Sequence, residues 1–120
     1  MDAQDQVSAF FKDKSPISRD LFNHFLSEFH KCGAITLYPT KSMIGFVHDG
    51  KKVAWLTQAG KNFVHIVFPF KEEHKENLCF IKIAQVPGSK QFNHHFRMML
   101  KEDVNAEVKK FMKLSLQPRA

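Results

Sequence analysis

The dipeptide Asp49-Gly50, set between the β-prone runs 43–48 and 52–57, commits the middle of the chain to a tight antiparallel hairpin. Asp and Gly tolerate the positive φ angles that a two-residue hairpin turn demands. With one hairpin fixed, further extended runs have a template to pair with. Residues 34–38 are β-prone and stop at Pro39, and 62–68 are entered through Gly60. A polar loop at 71–77 leads to a fifth run, 78–85; Pro87-Gly88-Ser89 then turns the chain into a sixth, 91–98.

Helical periodicity brackets these strands. The first thirteen residues read as a short amphipathic helix with Val7, Phe10 and Phe11 on one side, broken by Lys12-Asp13-Lys14. Ser15-Pro16 opens a second helix, since Ser caps and Pro suits the first turn. Its apolar residues at 17, 21, 22, 25, 26 and 29 form a stripe that closes at Gly33. From about 102 to 115 a third stripe appears at Val104, Val108, Phe111 and Met112. The order predicts a two-layer α+β fold. It is an antiparallel meander sheet of five to six strands, with two N-terminal helices and one C-terminal helix on one face. The 120 residues suit one domain, in which 1–14 form the first helix and connector.

Phenylalanine supplies 13 of the aromatic residues, against one Tyr and one Trp, so most aromatic content is expected to fill the core. Trp55, in a hairpin strand, is expected to be packing rather than a stacking platform. No stretch approaches the roughly 18 consecutive apolar residues of a membrane span. The acidic start is unlike a secretion signal, and Cys32 and Cys79 form no CxxC pair. A cytoplasmic protein with reduced thiols is the expectation. The net charge of +6 resides in residues 31–100, where ten basic side chains face four acidic ones. A positive strand region favours anionic partners.

Strand alternation assigns these charges to a side. Val64, Ile66, Phe68, Cys79, Ile81, Ile83, Phe92, Phe96 and Met98 are predicted to face the helices. His65, Lys82, His95 and Arg97 are predicted on the opposite face, with Phe63, Val67 and Phe80 among them. If the last three strands pair in chain order, the four polar groups come within reach of one anion. In that order His65 and His95 stand two strands apart, about 10 Å, too far to share a metal. His94 and His95 point to opposite faces, and His24 and His30 lie six apart on a helix, so no metal site is expected. Neither a nucleophile elbow, HExxH, P-loop nor RNP-type motif occurs, so no catalytic residue and no cofactor are assigned.

Several segments together resemble a bacterial family of domains of unknown function, DUF5655. They are the helix ending Cys32-Gly33, the stretch from Leu37-Tyr38-Pro39-Thr40-Lys41 to Phe46, and the strand Phe63-Val64-His65-Ile66-Val67-Phe68. Asn93-His94-His95-Phe96-Arg97-Met98 and Asp103-Val104-Asn105-Ala106-Glu107-Val108 complete the set. The resemblance implies an accessory or binding role compatible with nucleic acid, and no catalytic residues. It makes Lys41, in Pro39-Thr40-Lys41-Ser42, a candidate contact. At the C-terminal end Lys113-Leu114-Ser115-Leu116 departs from the family pattern. The expected function is a small basic, non-enzymatic module holding an anionic partner, nucleic acid or a small anion, on the open sheet face. Its candidate contacts are Lys41, His65, Lys82, His95 and Arg97. The alternative is homodimerisation through the same face, centred on Phe63, Val67 and Phe80.

Overall fold

The computed structural model describes residues 3–118. The helix starts follow from capping. Ser15 precedes α2 (Pro16–His30); its Oγ accepts the Ser18 backbone N–H at 3.1 Å and donates to the Lys61 carbonyl. One hydroxyl therefore both caps the helix and ties it to a distant turn. α1 (Ala3–Phe11) and α2 turn Val7, Phe11, Leu21, Phe22, Phe25 and Phe29 inward. α3 (Ala106–Ser115) begins later than its periodicity suggests. Asn105 takes the cap through the Val108 N–H, and a 3-10 turn at Lys101–Asp103 precedes it.

Six strands form one sheet: β1 (Thr36–Pro39), β2 (Ile44–His48), β3 (Lys51–Ala59), β4 (Val64–Phe70), β5 (Lys82–Gln85) and β6 (Phe92–Met98). Every pairing is antiparallel. The hairpin between β2 and β3 turns at Asp49 and Gly50, with φ of 50° and 76°, the left-handed pair the sequence calls for. The spatial order is β1-β2-β3-β4-β6-β5, so the last three strands do not pair in chain order. β6 lies directly beside β4, and β5 is the edge.

The fifth strand is also shorter than its composition suggests. The Cys79 backbone N–H donates to the Glu107 carboxylate at 2.8 Å, and the Phe80 ring packs 4.8 Å from Phe111. These contacts draw 78–80 toward α3 and out of strand geometry. Phe80 therefore lies on the helix side, not the open side. Ile81, expected in the core, is exposed. Cys79 is half-buried against the core, and Ile83 and Phe92 are likewise only half-buried.

The core is a phenylalanine cluster between α2 and the sheet. Phe25 is fully buried, with ring centroids of Phe29, Phe46, Phe68 and Phe96 between 5.3 and 6.3 Å away. Its ring meets phenylalanines of β2, β4 and β6 at once. Phe25→Ala is expected to cost about 3–5 kcal/mol. Urea unfolding should show a lower midpoint with an unchanged slope; a loss below about 1 kcal/mol would mean the cluster does not bind the layers together.

Candidate functional site

Seven consecutive pairs join β4 to β6, from Val64 opposite Met98 to Phe70 opposite Phe92. The pleat sends Val64, Ile66, Phe68, His94, Phe96 and Met98 under the helices, and all are buried. It sends His65 and Arg97, a facing pair, to the other side, together with His95, which faces Val67 on β4 and Lys82 on β5. Because β6 neighbours β4, the imidazoles meet: His65 Nε2 lies 2.8 Å from His95 Nδ1, with ring centroids 5.0 Å apart. The separation of about 10 Å expected from pairing in chain order is thus overturned. The Arg97 guanidinium lies over the Phe63 ring, 5.0 Å from its centroid.

This arrangement fixes the protonation chemistry. Burial pushes the His65 pKa below the usual imidazole value, and the charges of His95 and Arg97 push it further. Burial and then Lys82 do the same to His95. At neutral pH both rings are neutral, and one donates its N–H to the lone pair of the other. The pair then presents one outward donor and one outward acceptor. A single added proton turns both outward nitrogens into donors and gives the pair a positive charge. A second would set two N–H groups against each other. The site accordingly has room for one proton, which would leave it with two outward N–H donors and a positive charge.

Among the described residues neither Lys82 nor Arg97 makes an ion pair. The six strands carry Lys51, Lys52, Lys82 and Arg97 and not one Asp or Glu. Lys41 stands apart from this group. It is exposed in the connection between β1 and β2, beside a shallow cleft shared with Gln6 and Phe10 of α1. The β1 edge is three strands from β4, about 14 Å. Four of the five candidate residues therefore gather on one face and the fifth does not.

The same face carries groups not singled out as contacts. Tyr38, Gly45, Trp55, Val67, His95 and Lys82 are successive cross-strand partners, one from each strand. Tyr38 and Trp55 meet edge to face at 6.3 Å, and the Lys52 ammonium lies 4.7 Å from the Tyr38 ring centroid. A β-bulge after Phe46 and another between Leu56 and Gln58 set this register, and no residue type in the sequence marks either of them.

On the helix side, His94 is a structural histidine. It is fully buried, its Nδ1–H donates to the Phe92 carbonyl at 2.9 Å, and its Nε2 accepts the His74 backbone N–H at 3.0 Å. Both nitrogens are used and the ring is neutral, its pKa held down by burial. Burial likewise lowers His74. The Cys79 thiol is pushed up to about 12 by burial and by Glu107, so it is not a thiolate nucleophile. Among the described residues no three His, Cys, Asp or Glu side chains come together as metal ligands. No helix among them is long and apolar enough to cross a membrane.

Residues 7–116 match the family described as Domain of unknown function (DUF5655). The chain belongs to this family. Nothing among curated proteins or solved structures matches it. DUF5655 membership brings no assigned active residue, so the chemistry of this DUF5655 domain is read from its own side chains.

Four histidines with lowered folded pKa values set the pH response of stability. The unfolded chain takes up these protons first, near pH 6.5. Their contribution is therefore complete above about pH 6.5 and is lost as pH falls from there through the lower folded values. Urea midpoints should drop between about pH 7.5 and 5.5, a window above the one in which Glu28 titrates. That carboxylate is held below its usual range by Lys31 and Lys109, so its contribution persists to more acidic pH. His94→Gln should flatten the profile. A midpoint that rises on acidification would contradict this assignment.

Proposed function

We propose that this DUF5655 domain is a non-enzymatic binding module that holds an anionic partner on the helix-free face of its sheet. Its contacts are His65, His95, Arg97 and Lys82. The observation that carries the reading is the gathering of these four groups on one face of a sheet whose strands contain no carboxylate. Cations left without an internal partner on a sheet face lower the cost of bringing an external anion there. The imidazole pair adds two outward donors once it is protonated. A cytoplasmic setting, rich in polyanions, suits such a module.

The dimerisation alternative lacks its apolar centre. Phe80 packs on the helix side, Phe63 lies beneath Arg97, and Val67 is only 6% exposed. What remains on this face is polar and aromatic, with like charges that would oppose a second copy of the same surface.

Trp55 is the chain's one tryptophan and lies in the same cross-strand row as His95, so its fluorescence reports on the face. Titration with inorganic polyphosphate at low salt is expected to give saturable binding that weakens as salt rises. Arg97→Ala and Lys82→Ala should each weaken binding and reduce the salt slope by about one. Lys41→Ala should stay within about twofold of wild type, since Lys41 lies in the β1–β2 connection, apart from the four groups on this face. Binding should be tighter at about pH 5.5 than at about pH 7.5, because protonation of the pair adds charge as pH falls below the imidazole range. The double variant His65→Gln, His95→Gln should lose that gain. Absence of polyphosphate binding at low ionic strength would end the proposal.

A further inference from the structure

We infer that the anionic partner is a single-stranded nucleic acid, with a base stacked on Trp55 and the adjoining phosphates on the imidazole and guanidinium groups. This rests on the anion-binding reading above and adds an independent observation, the pose of the indole. A Cβ placed on Gly45 would lie 3.2 Å from Trp55 Cζ3 and 3.4 Å from both ring neighbours, Cε3 and Cη2. Near-equal distances to three successive ring atoms describe an approach to the ring face. An edge-on approach would leave the flanking carbons well beyond the nearest one. The indole is therefore laid flat on the sheet over the glycine, with its second face turned away from the backbone. It is only half-buried, and the ring of Tyr38, 50% exposed, stands nearly perpendicular to it with centroids 6.3 Å apart.

A flat, half-exposed indole on an uncovered sheet face is a platform for a planar π-system. Its surroundings select which one. Lys52 flanks the aromatic pair on one side. On the other, the row continues through Val67 to His95 and Lys82, and Arg97 lies in the next row. From Trp55 to His95 is two strand spacings, about 10 Å, so a stacked base and a phosphate held by the imidazoles can belong to one strand. Aromatic faces interleaved with cations along a groove or sheet are how proteins hold single strands without reading sequence. A duplex hides its base faces and cannot use the indole. A small anion or a polyphosphate has no base to offer it.

The test compares four probes on the wild-type chain at one low salt concentration, read by Trp55 quenching and by competition. They are single-stranded DNA and single-stranded RNA of about ten nucleotides, a duplex of the same length, and inorganic polyphosphate. At least one single strand is expected to quench Trp55 and to bind about 10-fold or more tightly than polyphosphate and duplex, a typical stacking gain. The preference between RNA and DNA then identifies the natural source. Tyr38→Ala, at an exposed position, and Trp55→Ala, followed by anisotropy of a labelled strand, should bring the ratio of single-strand to polyphosphate affinity down toward one. Should polyphosphate or duplex bind as tightly as the tighter of the two single strands, or both variants leave the ratio intact, stacking is overturned while the anion face stands. Should no probe bind, the anion reading falls with it.

Discussion

The unbroken ladder between β4 and β6 is the constraint on which both faces of this sheet depend. Its seven pairs contain no bulge, so side-chain alternation runs uninterrupted from Val64 to Phe70 and from Phe92 to Met98. One side delivers Ile66, Phe68 and Phe96 to the Phe25 cluster; the other delivers His65, His95 and Arg97 to a shared surface. A slip of one residue would bury the cations and expose the phenylalanines. The apolar core therefore enforces the polar constellation. Irregularity is confined to the pairings of β3 with β2 and with β4, where the extra residues Val53 and Thr57 both lie on β3 and leave the register of β4 with β6 untouched.

Charge is distributed to match. The acidic side chains lie in helices and loops, where some have structural tasks. Glu28 joins α2 to α3 through Lys109, Glu107 holds the Cys79 backbone, and Asp103 accepts the N–H groups of Met99 and Leu100. With carboxylates kept out of the strands, nothing among the described residues makes an ion pair with Lys82 or Arg97. The cost appears in the imidazoles, whose protonation is disfavoured by burial and by those neighbouring cations. An arriving anion would reverse that balance by favouring the charged imidazole. Binding of an anion and uptake of a proton would thereby be linked on this face.

Much of this was legible in the chain. Ser15-Pro16 announced α2, Asp49-Gly50 announced the hairpin, and alternation in 62–68 and 91–98 correctly separated core from open face, because each signal is local. What failed depended on distant partners. Leu78, Cys79, Phe80 and Ile81 look like a strand by composition, yet Glu107 and Phe111, nearly thirty residues on, pull the segment away. The distance of Lys41 from the other four candidates was equally hidden, because its motif says nothing of strand order and the turn that carries it joins β1, the far edge of the sheet, to β2. Trp55 packs as expected, but its pose is set by the missing side chain of Gly45, its partner across the hairpin, and the bulge after Phe46 obscures which residue that is.

The strand order itself has a physical reason that the sequence contains. An edge strand is best short and charged, since a long apolar edge would recruit other chains. Lys82–Gln85 is four residues with a lysine at its start, whereas Phe92–Met98 is seven residues with Phe96 and Met98 turned inward. Burial drives the longer strand to the interior position beside β4, and the shorter one to the rim. That exchange is also what removes the intervening strand between His65 and His95. Had β5 taken the interior place, Lys82 would separate the two imidazoles, and neither could share a proton with the other. The same preference that satisfies the sheet edge therefore creates the contact on which the chemistry of the open face turns.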